Sequence, residues 1–135
     1  MSYIDHLGIA VKSLAEARKF YEKLGLQVMP EETVEDEKVR VAMVPVGESR
    51  IELLEPSSPD STIAKFLEKR GQGLHHVALH VSDLAGTVER LKASGTRLIS
   101  DDIKIGAGGH LYVFVHPSSA GGVLLELVED APQGV

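Results

Sequence analysis

At 135 residues and with no cysteine, the chain suits one domain or two small modules sharing a core, excludes disulfides and thiolate metal sites, and fits a cytoplasmic setting. A formal net charge of −6 and an aromatic content of 4% argue against nucleic acid as a partner, since phosphates demand clustered Lys and Arg and bases stack on aromatic rings. The opening residues run straight into a strand pattern with no basic leader, and no apolar run of spanning length follows, so neither targeting nor a membrane partner is expected.

Tyr3 to Val11 alternates and reads as a strand, with Ile4, His6, Gly8 and Ala10 on one face and Tyr3, Asp5, Leu7, Ile9 and Val11 on the other. Ser13-Leu-Ala-Glu16 is a capping-box signature. Leu14, Ala17, Phe20 or Tyr21, and Leu24 follow at helical spacing, and Gly25 stands where a left-handed C-terminal residue is wanted. The acidic stretch Glu31 to Glu37 is expected to form a solvated loop or edge. Val39 to Val46 and Arg50 to Glu55 read as two strands joined by the turn Gly47-Glu48-Ser49. Asp60 or Ser61 caps a short helix with Ile63, Phe66 and Leu67 on its buried side, ending at Arg70-Gly71. Phe20, Met43 and Phe66 are read as core positions.

The pattern then begins again. Gly73 to Asp83 holds three of the six histidines, and alternation sets Leu74, His76, Ala78 and His80 on one face, His75, Val77, Leu79 and Val81 on the other. The stretch from Asp83 to Leu91 matches the first helix, and Gly95 closes it. An offset of 70 aligns His6 with His76, Val11 with Val81, Leu14 with Leu84 and Gly25 with Gly95. After the glycine-rich loop Gly106 to Gly109 come two further strands, His110 to Val115 and Val123 to Val128, and an offset of 74 pairs Glu52 with Glu126. The chain is read as an internal duplication. The expected fold is α+β: two tandem βαβββ modules, about 1–56 and about 73–130, joined by a helix at about 60–71, their strands forming a cup-shaped mixed sheet with helices outside. Exposed sheet edges make a homodimer the expected assembly, and Ala131 to Val135 is expected to fray.

The duplication singles out one histidine and one glutamate in each half. His6 and His76 have small neighbours on their face, Gly8 and Ala10 in the first strand and Ala78 in the second, which leave room for something that is not protein. His75 matches Asp5 and is assigned no chemistry. His6, Glu52, His76 and Glu126 together offer two nitrogens and two carboxylate oxygens, a donor set for a borderline or hard divalent ion. On an octahedral ion they leave two adjacent positions for water or substrate. A lone strand histidine is more often a hydrogen-bonded core residue, and a lone edge glutamate more often solvated. Four such residues at matching repeat positions are a different case, because carboxylates flanked by Ile51 and Leu53, or by Leu125 and Leu127, are costly to bury without a cation. Glu48 is an alternative proton-transfer carboxylate, set against the favoured reading of a solvated turn residue; His116 is read as a turn residue before Pro117, and His110 as either strand start or site residue.

These residues carry a resemblance. The segments Ile4 to Val11, Ile51 to Pro56 with Asp60 to Leu67, Gly73 to Ala78, Lys104 to Gly109, and Phe114-Val-His-Pro117 with Gly121-Gly-Val-Leu-Leu-Glu-Leu127 resemble the vicinal oxygen chelate superfamily. Over nearly the whole length they resemble its methylmalonyl-CoA epimerase family. The resemblance implies an isomerase that interconverts the two C2 epimers of methylmalonyl-CoA by removing and returning the proton alpha to the thioester. It implies a divalent ion, Co2+ or alternatively Mn2+, Ni2+, Zn2+ or Mg2+, that stabilises the enolate and is held by His6, Glu52, His76 and Glu126. Epimerisation also needs a proton acceptor or donor on each face of the planar intermediate, and Glu126 and Glu52 are assigned that role beside metal ligation. Some epimerases carry Gln where Glu52 stands, and some a candidate base Glu where Val41 stands, so the second base is the open point. Lys104 with Gly106, Gly108 and Gly109 either meets the CoA pyrophosphate or carboxylate through backbone N–H groups and one charge or is a plain hairpin connection, and His80 is read as pocket wall. The rival readings are a metal-dependent glyoxalase (lactoylglutathione lyase), a ring-cleaving dioxygenase, and a metal-free drug-sequestering protein on the same scaffold.

Overall fold

The structure, a computed structural model, describes residues 2–130, so the expected fraying of the tail concerns residues outside that range. The elements are β1 (Tyr3–Ala10), α1 (Leu14–Lys23), β2 (Glu32–Val34), β3 (Val39–Val46), β4 (Ser49–Pro56), α2 (Thr62–Arg70), β5 (Gly73–His80), α3 (Leu84–Ala93), β6 (Lys104–Ile105), β7 (Leu111–Val115) and β8 (Leu125–Glu129). The βαβββ order therefore occurs twice, as expected, with α2 between the copies. By packing, the chain falls into two units, residues 6–75 and residues 2–5 with 76–130. The division falls inside two strands, after Asp5 in β1 and after His75 in β5.

In the unit of residues 6–75 the strands run in the order β2-β3-β4-β1. A two-residue turn, with Gly47 at φ +59, brings Val46 opposite Ser49 and joins β3 to β4 antiparallel. β4 then lies parallel to β1. One face buries Val11, Leu14, Val28, Ala42, Val44 and Leu53 against α1. The other buries Ala10, Val39, Val41 and Leu54 against Ile63 of α2. The acidic stretch becomes the short strand β2, which pairs with β3 and is mostly exposed, as an edge should be. Lys38 reaches from the end of that hairpin to Asp60 at 2.5 Å. Together with the Ser58 hydroxyl, this ammonium holds the Asp60 carboxyl down at about 2.

In the unit of residues 2–5 and 76–130 the order is β5-β8-β7-β6. β8 runs parallel to β5 and antiparallel to β7. Leu84 and Val88 of α3 bury against Val113, Val115 and Leu127 on one face, while Ala78, Tyr112 and Val128 pack with Phe114 on the other.

The helices start and stop where side-chain chemistry requires. Ser13, Ser61 and Asp83 each accept from the amide three residues on, and Gly25 and Gly95 take the left-handed conformation after α1 and α3, at φ +86 and +82. A second device, not foreseen from the sequence, repeats with them. Glu55 Oε1, at the end of β4, accepts from the Leu14 amide at 3.1 Å, and Glu129 Oε1, at the end of β8, accepts from the Leu84 amide at 3.0 Å. Each repeat thus ties its closing strand to the start of its own helix. Glu55 also receives Arg40 at 2.6 Å, whereas the Glu129 contact is the simpler one to test. Glu129→Ala is expected to lower the unfolding free energy by about 1 kcal/mol, read from urea denaturation.

One core expectation fails. Phe20 is 57% exposed and Leu24 59% exposed, because the stripe that α1 buries is Leu14, Ala17 and Tyr21. Phe20 precedes Tyr21 by one residue, about 100° around the helix, and Leu24 is already the C-cap. Met43 and Phe66 do pack against the core, as expected.

Candidate metal centre

Each repeat builds the same small device from three strands. In the first, Glu52 on β4 has Gly8 of β1 as its register partner on one side and Met43 of β3 on the other. His6 lies two residues before Gly8 and so shares its face. His6 Nε2 is 3.6 Å from Glu52 Oε1, the side chains being 1% and 12% exposed. Further along the same face come Ala10 and Leu54, which α2 covers with Ile63. A polar pair and an apolar plug therefore sit end to end.

The second repeat follows the first position by position. Glu126 on β8 has Ala78 of β5 and Phe114 of β7 as register partners, and His76 precedes Ala78 by two residues. His76 Nε2 is 3.1 Å from Glu126 Oε1, with side chains 4% and 7% exposed. The Phe114 ring stands edge-on to the His76 imidazole, with centroids 5.6 Å apart and planes at 90°.

The donor chemistry fits a divalent cation. Two ligands at about 2.1 Å from an ion and at right angles to one another stand about 3.0 Å apart, close to the 3.1 Å of His76 and Glu126 and shorter than the 3.6 Å of His6 and Glu52. Imidazole nitrogen and carboxylate oxygen without thiolate suit a borderline to hard ion. Among the described residues, His76 and Glu126 in one unit and His6 in the other are buried donors able to serve a metal ion. Glu52, beside His6, is less buried than these three.

The remaining expectations fall in other places. His80 stacks flat on Tyr3, with centroids 4.6 Å apart and planes at 9°, and its Nε2 lies 3.4 Å from Asp130 Oδ2, outside hydrogen-bond geometry. Lys104 is exposed on β6. Two amides of the loop that follows are already engaged within it, Gly106 N with His110 O at 2.8 Å and Gly109 N with Gly106 O at 3.0 Å. Gly106 is also close-packed, since a Cβ there would meet Tyr112 Cε1 at 3.1 Å and His110 Nε2 at 3.2 Å. His75 meets Phe66 of α2 edge-on, and His116 Nδ1 accepts from Ser118 N at 3.0 Å in a tight turn, as a residue before proline should. Sequence reasoning missed Phe114. The repeat would have found it, because Phe114 stands to Glu126 as Met43 stands to Glu52.

A duplicated βαβββ chain with one imidazole–carboxylate pair in each copy, its histidine buried, defines an α+β scaffold suited to a divalent metal. The sequence pattern of the glyoxalase/bleomycin resistance protein/dioxygenase superfamily matches residues 5–114. The chain belongs to that superfamily. It is 40% identical over 126 residues to the mitochondrial methylmalonyl-CoA epimerase of Homo sapiens, covering 92% of this chain and 72% of that one. The crystal structure of methylmalonyl-CoA epimerase from Mycobacterium tuberculosis is similar at a TM-score of 0.90 and 42% identity, over 96% of this chain and 88% of that one. A variant of the Streptomyces coelicolor methylmalonyl-CoA epimerase, in complex with 2-nitronate-propionyl-CoA, is similar at a TM-score of 0.91 and 35% identity, over 98% and 97%.

Proposed function

We propose that this chain interconverts the (2R) and (2S) epimers of methylmalonyl-CoA, with His6, Glu52, His76 and Glu126 holding one divalent ion. The observation that carries the reading is the repeated pair: a buried histidine and a glutamate at the same register in each repeat. Epimerisation works on both faces of one carbon, and a repeat that supplies a carboxylate twice supplies a proton carrier for each face. The likeness to epimerases over more than nine tenths of the chain supports the choice of substrate.

When bound, the ion supplies Lewis-acid stabilisation of the negative charge that develops on the thioester oxygen as the C2 proton leaves. His6 and His76 contribute ring nitrogens as fixed donors. Glu126 and Glu52 each carry two oxygens, so one oxygen can ligate while the other meets a proton, and one carboxylate takes the C2 proton while the other returns one to the opposite face. Gly8 and Ala78 put little side-chain bulk beside the glutamates. Cobalt as the working ion, a cytoplasmic setting and a homodimer belong to the same proposal. So does a single domain with modules at about 1–56 and about 73–130, and so do contacts of CoA with His80, Lys104, Gly106, Gly108 and Gly109.

The test is proton exchange at C2 in 2H2O. Chelator-treated protein is expected to wash deuterium into a single epimer of methylmalonyl-CoA only after Co2+ is restored, with the other epimer appearing at a comparable rate. No exchange with any of the five divalent ions named above would sink the proposal.

A further inference from the structure

The two repeats match in donors but differ in what flanks the glutamate, Gly8 against Ala78 on one side and Met43 against Phe114 on the other, and the second difference is the larger. On the outer side of Glu52 the register partner is Met43, a flexible thioether; on the outer side of Glu126 it is Phe114, a rigid ring. Phe114 does more than flank the carboxylate, because its ring also meets the His76 imidazole at a right angle, centroids 5.6 Å apart. It is itself wedged by Tyr112, centroids 5.8 Å apart at 79°, in the cluster with Ala78 and Val128. A ring held on one side by an aromatic neighbour and on the other by the imidazole leaves His76 little freedom to turn about its own side-chain torsions.

We infer that Phe114 is a positioning residue: it fixes the orientation of the His76 ring and the place of Glu126 beside it, so that metal affinity depends on this apolar side chain. The inference rests on the proposed role of His76 and Glu126 as ligands. It deepens that reading by making the second repeat the rigid half of the centre and the first, backed by Met43, the adaptable half. Groups that orient metal ligands tune affinity without touching the ion, and their loss weakens binding while the ligands remain in place.

The experiment compares Phe114→Leu, Phe114→Tyr and Met43→Leu with the parent chain, by calorimetric titration with Co2+ and by long-range 1H–15N correlation of the imidazoles in the metal-free protein. Phe114→Leu is expected to weaken Co2+ binding about tenfold, while Phe114→Tyr, which keeps the ring, and Met43→Leu stay within about twofold of the parent. The His76 ring signals are expected to show one fixed imidazole in the parent and an averaged one in Phe114→Leu. Should Phe114→Leu fail to fold, Phe114→Met supplies the same comparison. A residue that merely filled space would lower the melting temperature in Phe114→Leu and leave both readouts where they were, which overturns the inference. An equal loss in Met43→Leu overturns it too. If the parent binds no divalent ion, the ligand reading fails separately, and the imidazole signals of the metal-free protein alone decide for or against Phe114.

Discussion

Glu126→Gln is expected to cut turnover about 1000-fold and to weaken metal binding at least about tenfold, with the fold intact. The side chain is buried, 3.1 Å from His76, and enclosed between Ala78 and Phe114. The amide matches the carboxylate in size and still presents an oxygen, so the cavity stays filled and packing gives no reason for unfolding. What disappears is the negative charge, which makes the oxygen a strong ligand, and the ability to accept a proton from carbon. The two losses can be separated by measuring turnover at saturating metal and affinity by titration. Circular dichroism at rising urea should match the parent, in contrast to Glu129→Ala, where stability falls and turnover holds. Turnover of Glu126→Gln within about tenfold of the parent would remove this carboxylate from proton transfer.

The second large effect is one of asymmetry. Glu52→Gln is expected to slow deuterium uptake at C2 from one epimer by about 100-fold or more, while uptake from the other epimer stays near the parent rate. If each glutamate serves one face, removing one base leaves the other able to take the proton from its own side and exchange it. Conversion between epimers then fails, although exchange from one of them survives. Glu52 lies 3.6 Å from His6 and is more exposed than Glu126, which lies 3.1 Å from His76, so its loss should weaken metal binding less than the loss of Glu126. The measurement is mass spectrometry of each pure epimer incubated separately in 2H2O. Unchanged uptake from both epimers takes Glu52 out of the mechanism.

Much of this was legible in the chain because the repeat declares itself twice. The offset that aligned His6 with His76 and Gly25 with Gly95 is borne out in backbone conformation as well as in element order, and the offset that paired Glu52 with Glu126 holds in strand register. Alternation told which histidine of His75 and His76 shares a face with the glutamate. The hidden part depended on which strands become neighbours. Periodicity along α1 could not choose between Phe20 and Tyr21, since both fit a helical stripe and only the sheet beneath decides which is covered. Phe114 and the stacking of Tyr3 on His80 arise from side chains on different strands meeting, and period-two reasoning within one strand carries no information about that. Glu55 and Glu129 were visible as a repeated pair, but their acceptance of a helix amide needed the strand end to be placed beside the helix start.

The spacing of those glutamates has one more consequence. Glu52 and Glu55 are an odd number of residues apart, as are Glu126 and Glu129, so on one pleated strand the first carboxylate serves the donor face and the second is left for the helix. A slip of a single residue in pairing would send each to the wrong side, parting the first from its histidine and the second from its helix amide. Correct strand pairing and the helix caps are therefore gained or lost together, and parent protein that melts cooperatively at full stability is expected to carry both histidine–glutamate pairs in register.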